Sequence, residues 1–150
     1  MIANYHTHTW RCQHARGTEE QYVKTAIAQG FETLGFADHS PWPYESGFVS
    51  GMRMRLDQFE DYKRTVLDLR AKYAGQIEIA LGYEHDFAAR GNELHHYEYL
   101  IESVHWLQKD GMSMPIDSSA AKLQQAIDDV SERLNEGGRL CIITFHSLED

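Results

Sequence analysis

Short apolar runs alternate along the chain with longer segments whose apolar residues recur at helical spacing. Each run has four to eight residues and is bounded by polar or glycine-containing sequence, which is typical of a buried strand. The runs predict five strands, at residues 2–5, 33–38, 77–83, 99–106 and 139–145.

Three of the intervening segments predict helices. Thr18 and Gln21 have the spacing of a capping box, and the helix that they begin runs through Ile27 and ends at Gly30. A second helix is predicted by spacings of 3, 4, 3 and 4 between Phe59, Tyr62, Val66, Leu69 and Tyr73. The third is predicted by Leu123, Ile127, Val130 and Leu134, and it is ended by Gly137 and Gly138.

The alternation of strands and helices predicts an α/β fold. Successive βα units give a mostly parallel sheet, here with five strands. At 150 residues with 42% apolar side chains, the chain is long enough for one sizeable core and short for two. We therefore expect a single α/β domain over residues 1–150.

Charge, hydropathy and cysteine content limit the classes of partner and the cellular compartment that we expect for this protein. The chain has 14 Lys and Arg against 23 Asp and Glu, so its net charge is −9. This charge disfavours a nucleic-acid partner, because binding to nucleic acid relies on concentrated basic charge. No apolar run approaches the roughly 20 residues of a membrane helix, and residues 1–5 lack the features of a signal peptide. Cys12 and Cys141 show no C-x-x-C pattern, which fits a reducing cytoplasm.

Side chains able to bind metal follow four successive predicted strands. The carboxyl ends of parallel strands lie at one edge of the sheet, where ligand sites form. His6 and His8 end the first strand and face the same way, since the side-chain period of a strand is two. His14 can fold back from the first loop. The next three strands end in Asp38 and His39, in Glu84 and Asp86, and in His105.

These residues allow two interpretations. For any single position, a hydrogen-bonded surface histidine is the simpler one, but four strands in a row favour a metal site. Nitrogen and oxygen ligands of this kind suit zinc, manganese or iron, and a carboxylate such as Glu84 can bridge two cations.

Five motifs in order resemble the polymerase and histidinol phosphatase (PHP) family, in particular its histidinol-phosphatase branch. They are HTHTWRCQHA, FADHSPWP, GMRMRLDQF, LGYEHDF and YLIESVHWL, and the resemblance spans about residues 2–118. It implies a distorted (βα) barrel with two or three metal ions that hydrolyses a phosphate monoester.

Carried over position by position, the resemblance also implies the site residues. The metal ligands would be His6, His8, His14, His39, Glu84 and His105, with Glu84 as the bridging ligand. Arg53 and Arg55 are candidates to grip the phosphate, because a guanidinium matches phosphate oxygens, although solvated loop charge explains them equally well.

The resemblance further implies ligands that these 150 residues do not contain. Family members are longer and complete the site with another histidine and a late Asp-x-His motif on later strands. We therefore expect about half of a PHP-type barrel, with two exposed sheet edges that favour homodimers or domain swapping.

The final segment resembles a different family. Residues 122–150, in which GGRLCIITF leads into FHSLED, resemble the small-subunit ribosomal RNA cytosine-N4 methyltransferases. That family's glycine-rich cofactor region has no counterpart here, so S-adenosylmethionine binding is not implied. Two families meeting between about residues 112 and 122 suggest an engineered or shuffled chimera, in which residues 119–150 add a helix and a strand to the PHP-like residues 1–118.

Three hypotheses for the function follow. The first is a truncated metal-dependent phosphomonoesterase of PHP type acting on a small phosphate ester, although the missing ligands argue against full activity. The second is a metal-binding α/β module without turnover, and the third is a recombined chain that merely folds. The six intact ligand candidates favour a PHP-type metal site.

Overall fold

The computed structural model describes residues 2–41, 50–86, 97–103, 106–109, 112–115 and 119–132. The chain divides into two compact units, residues 1–103 and residues 104–150. The single domain expected from the length of the chain stays a prediction.

A parallel sheet in the first unit confirms the predicted α/β class. Its strands are β1 (Ala3–Asn4), β2 (Thr33–His39), β3 (Glu78–Asp86) and β4 (Tyr99–Ser103), in that spatial order. Each strand pairs in parallel with its neighbour. The sheet therefore has four strands among the described residues, not five, and the predicted strand at 139–145 lies outside them.

The two helices of this unit begin where the sequence predicts them. Helix α1 (Glu19–Ala28) starts with the predicted capping box, because Gln21 N donates to Thr18 Oγ1 at 3.3 Å and Thr18 N donates to Gln21 Oε1 at 2.8 Å. The chain turns away at Gly30, whose φ of 78° favours glycine. Helix α2 (Phe59–Lys72) follows a 3₁₀ turn at Leu56–Gln58.

The hydrophobic core lies between the helices and the sheet. The five residues that predicted α2 are all buried, and they form one cluster with Val23 and Ala26 of α1 and with the core face of β2 and β3. Burying each large apolar side chain contributes about 1.5–3 kcal/mol. The strands that carry the site residues are thus held on a rigid base.

Tyr62 joins α2 to the sheet directly below the candidate site. It is fully buried, and its hydroxyl donates to Gly82 O at 2.9 Å. The same hydroxyl accepts from Asp38 N at 3.4 Å. Burial is the main cause that raises the pKa of Tyr62 well above its usual value, so the hydroxyl keeps its proton and the bond.

The second unit contains a hairpin and a helix. Strands β5 (Trp106–Lys109) and β6 (Met112–Pro115) pair antiparallel, and helix α3 covers Ala120–Ser131. The predicted strand over 99–106 is confirmed over Tyr99–Ser103, Trp106 is the first residue of β5, and residues 104 and 105 lie outside the described residues. The third predicted helix is confirmed over the part that is described. None of the helices in the described ranges is long and apolar enough for a membrane span.

Candidate metal centre

Three imidazoles converge on one carboxylate oxygen at the carboxyl edge of the parallel sheet. Glu84 Oε2 lies 3.3 Å from His6 Nε2, 3.3 Å from His8 Nε2 and 3.0 Å from His39 Nδ1. The His6 and His8 Nε2 atoms are themselves 3.2 Å apart. The ring of His14 completes the group, with its centroid 5.2 Å from those of His8 and His39. We call His6, His8, His14, His39 and Glu84 the histidine cluster.

The strand register places these groups together. His39 and Glu84 are direct partners in the parallel pairing of β2 with β3. Ser40 N donates to Glu84 O at 2.9 Å, which continues the pairing past the end of β2. The second carboxylate oxygen, Glu84 Oε1, accepts a hydrogen bond from Ser103 Oγ of β4. Three neighbouring strands thus fix the carboxylate.

The spacing of the donor atoms fits a divalent cation. Ligands about 2.1 Å from a tetrahedral ion lie roughly 3.4 Å from one another. The distances of 3.2 and 3.3 Å among His6 Nε2, His8 Nε2 and Glu84 Oε2 match that separation. Imidazole with carboxylate is also the donor chemistry of zinc, iron and manganese sites. The residues present therefore fit the metal that the sequence motifs imply.

Glu84 and His8 have strongly shifted pKa values. Burial of Glu84 would raise its pKa, but the hydrogen bond from His6, the charge of His39 and the hydrogen bond from Ser103 outweigh burial and lower the pKa to about 2. Burial of His8 would lower its pKa, but hydrogen bonds to Asp38 and Cys12 and the charges of Glu84 and Asp38 raise it to about 10. The cluster therefore stabilises positive charge next to an ionised carboxylate.

Asp38 supports His8 from below. Its side chain is fully buried, and Oδ1 lies 3.5 Å from His8 Nδ1. It accepts hydrogen bonds from the backbone N and hydroxyl of Thr9 and from His39 N. Asp38 thus faces the His8 nitrogen opposite the one that faces Glu84 and orients the ring. The sequence placed Asp38 at this edge but did not indicate its supporting role.

A buried arginine anchors the loop between His8 and His14. Arg11 is 3% exposed, and its guanidinium binds Glu19 at the start of α1. The same group donates to Asp61 Oδ2 at 2.6 Å and to Thr65 Oγ1 at 3.3 Å on α2. The anchoring role of Arg11 could not be predicted from the sequence, because nothing in its spacing distinguishes it from a solvated loop charge.

The remaining predicted site residues are placed differently from one another. Arg53 is buried, at 6% exposure, whereas the exposed Arg55 is paired with Asp57 through two 2.9 Å hydrogen bonds. His105 lies outside the described residues. The structure therefore brings together five of the six predicted ligands, and the metal-binding role of all six stays a proposal.

A cavity of about 620 Å³ opens beside the histidine cluster. His6, His8 and His14 line one side, and Tyr22 and Thr25 of α1 are among the residues on the other. Its volume is in the range of small-molecule sites, so a ligand placed there has access to the imidazoles.

Comparison with known proteins identifies the family. The family model of the PHP domain matches residues 4–146 of this chain. The chain belongs to the PHP domain family. The PHP match extends beyond residue 118, where the resemblance carried by the motifs ends, and so it covers most of the final segment as well.

Among individual relatives of this PHP domain, histidinol-phosphatases recur. A protein named as a probable histidinol-phosphatase from Deinococcus radiodurans is 32% identical over 122 residues, which cover 76% of this chain and 46% of that protein. The histidinol-phosphatase of Bacillus subtilis is 31% identical over 125 residues, covering 75% of this chain and 47% of the relative. The chain spans about half the length of these relatives.

A solved structure agrees with the fold. The crystal structure described as a histidinol phosphatase from Listeria monocytogenes superposes with a TM-score of 0.67 at 23% identity, and it covers 80% of this chain and 51% of its own. At that identity the likeness shows the PHP fold, with the parallel sheet as part of a barrel.

The second resemblance noted in the sequence is also found. A stretch of 28 residues, 19% of this chain, is 68% identical to the ribosomal RNA small subunit methyltransferase H of Lachnospira eligens and covers 9% of that protein. This local match supports a mixed origin for the PHP chain without indicating methyltransferase activity.

Proposed function

We propose that this chain carries part of the active site of a metal-dependent phosphomonoester hydrolase of the histidinol-phosphatase type. The observation that supports the proposal most directly is the convergence of His6, His8 and His39 on Glu84 Oε2 within 3.3 Å. Relatives named as histidinol-phosphatases support the reaction class. A small phosphate ester in the cytoplasm would be the substrate.

The histidine cluster would hold the metal. Glu84 would be the bridging ligand, and the imidazoles of His6, His8, His14 and His39 would complete the set together with His105. Zinc, iron or manganese suits these donors. Divalent cations in such a site polarise the phosphoryl group and lower the pKa of water, which supplies a nucleophile at neutral pH.

The other residues of the chain would bind and orient the ester. The 620 Å³ cavity would receive the substrate next to His6 and His14. Arg53 is proposed to contact the phosphate, since a guanidinium matches two phosphate oxygens. Arg55 would have to leave its pair with Asp57 before it could do so.

A second candidate function follows from the local methyltransferase match. In this alternative the chain is a chimeric α/β protein that binds metal without turnover. In this alternative the ligand geometry would be looser than catalysis tolerates, while a cation could still bind.

The experiment that tests the proposal combines metal content with hydrolysis. Protein purified without chelator or histidine tag is analysed by plasma mass spectrometry, and release of inorganic phosphate from histidinol phosphate and p-nitrophenyl phosphate is measured. The informative variant is Glu84→Gln, and Glu102→Gln is its control because Glu102 is an exposed carboxylate on the neighbouring strand β4.

Each outcome decides between the two candidates. We expect bound metal and hydrolysis in the wild type and in Glu102→Gln, and a lower metal content with loss of hydrolysis in Glu84→Gln. Equal turnover in Glu84→Gln overturns the proposed active site. Bound metal with no hydrolysis above the buffer rate supports the chimeric metal-binding alternative.

A further inference from the structure

A second group of donor atoms shares His8 with the histidine cluster. One ligand atom each from His8, Cys12 and His14 lie within 4.8 Å of one another. This group comes entirely from the loop that follows β1, whereas the group of His6, His8 and Glu84 combines that loop with strand β3. The loop thus offers a sulfur ligand, and β3 offers a carboxylate oxygen.

We propose that Cys12 is a metal ligand, and that His8, Cys12 and His14 form a site for a thiophilic divalent cation such as zinc or cadmium. This inference rests on the proposed metal centre and adds a ligand and a metal preference to it. Soft thiolate ligands select zinc-like cations, whereas carboxylate and imidazole also suit manganese and iron.

The environment of Cys12 supports a ligand more than a packing residue. Its side chain is fully buried, yet it is not a member of the hydrophobic cluster between the helices and the sheet. Its Sγ instead lies 3.0 Å from Thr9 O and close to His8. A buried cysteine normally behaves as a small apolar side chain, and this one has polar neighbours instead.

The loop backbone directs Cys12 and His14 to the same place. Trp10–Cys12 form a 3₁₀ turn, and Gln13 follows in the left-handed conformation with a φ of 69°. That reversal brings His14 back, so that its Nδ1 lies 2.9 Å from Cys12 O. A non-glycine residue in this conformation is uncommon and is held by the surrounding structure.

His8 couples the two groups of donors. Its Nε2 faces Glu84 and its Nδ1 faces Asp38, and the ring belongs to both candidate sets. The identity of the cation would therefore decide which set is filled. Manganese would take the set with Glu84, and zinc, cobalt or cadmium would draw on Cys12, with the thiol proton released to the buffer.

Cobalt is the probe that tests this assignment. Co²⁺ is titrated into the metal-free full chain, and the absorption spectrum is recorded in the visible and the near ultraviolet. A thiolate ligand produces a near-ultraviolet charge-transfer band that nitrogen and oxygen ligands do not produce. We expect that band in the wild type and its complete loss in Cys12→Ser.

Two controls separate a lost ligand from a lost fold. Cys141→Ser removes the only other cysteine and should keep the band. In Cys12→Ser the hydroxyl can replace the thiol as the donor to Thr9 O, so circular dichroism should be unchanged. In the same variant, cadmium affinity should fall at least about tenfold while manganese affinity stays within about twofold.

The outcomes distinguish this inference from the proposed function. Cobalt bound with visible bands but without the charge-transfer band, or a band that survives Cys12→Ser, overturns the role of Cys12 and leaves the histidine cluster standing. A chain that binds neither cobalt nor manganese overturns the metal centre and the inference together.

Discussion

His39 and Glu84 are direct register partners on neighbouring parallel strands, and His39 Nδ1 lies 3.0 Å from Glu84 Oε2. The pairing of β2 with β3 extends over seven residue pairs, from Thr33 with Glu78 to this one. A slip of one residue would turn Glu84 to the opposite face, since strand side chains alternate. The geometry of the site is therefore set by the backbone of the sheet.

The first prediction tests whether a histidine that faces Glu84 binds metal more strongly than one that faces away from it. His39→Ala should lower manganese affinity at least about tenfold, because it removes a nitrogen that faces Glu84. The matched control is His85→Ala, since His85 follows Glu84 in β3 but pairs with Glu102. Competition with a chromophoric chelator measures both affinities. Equal losses in the two variants would contradict the placement of the site.

The second prediction concerns the anchor of the ligand loop. Arg11→Met should lower the free energy of unfolding by about 3–5 kcal/mol, because it leaves the buried carboxylate of Glu19 without its partner. Urea denaturation of the metal-free protein measures the loss. The double variant Arg11→Met with Glu19→Gln should recover part of it, since no uncompensated charge remains. Simple additivity of the two substitutions would exclude this coupling.

Much of the first unit is predictable because its signals are local. The capping box of Thr18 and Gln21 and the apolar spacing of α2 are properties of short segments, and both helices begin within a residue or two of the expected positions. The position of the histidine cluster at one edge of the sheet was predictable for a similar reason. Each of its residues lies near or just after the carboxyl end of a strand, and parallel strands end at one edge.

The features that escaped prediction depend on contacts between distant residues. Arg11 donates a hydrogen bond to Asp61, 50 positions away along the chain, and no periodic pattern in the sequence indicates such a pair. The support that Asp38 gives to His8, 30 positions away along the chain, escaped prediction for the same reason.

The third prediction is a pH dependence of stability outside the metal centre. Hydrogen bonds from Tyr73, Lys72 and Lys24 lower the pKa of the partly exposed Glu20 to about 2, from an ordinary 4.5. A lowered pKa in the folded state stabilises the protein above pH 4.5, and the contribution disappears as the pH falls from 4.5 towards 2.

Substitution of Glu20 should reduce this dependence. The urea midpoint of the wild type should fall between pH 6 and pH 3 by more than that of Glu20→Gln, in which the titrating group is absent. Tyr73→Phe, which removes the first of the three donors, should give an intermediate fall. A wild-type fall no larger than that of Glu20→Gln would contradict the role of this cluster.

The fourth prediction concerns the close approach of Tyr99 to the sheet. Tyr99 is the register partner of Gly82, and its ring lies where a Cβ at Gly82 or Gly35 would be, while its hydroxyl donates to Tyr5 O at 2.7 Å. Gly82→Ala should therefore destabilise the fold by about 1–3 kcal/mol through overpacking, measured as a lower thermal midpoint. The ring is the obstacle, so Tyr99→Leu in the Gly82→Ala background should recover part of the loss. Gly51→Ala is the matched control, because a Cβ at Gly51 meets open space. If Gly82→Ala proves no less stable than Gly51→Ala, the ring does not pack against this face of the sheet.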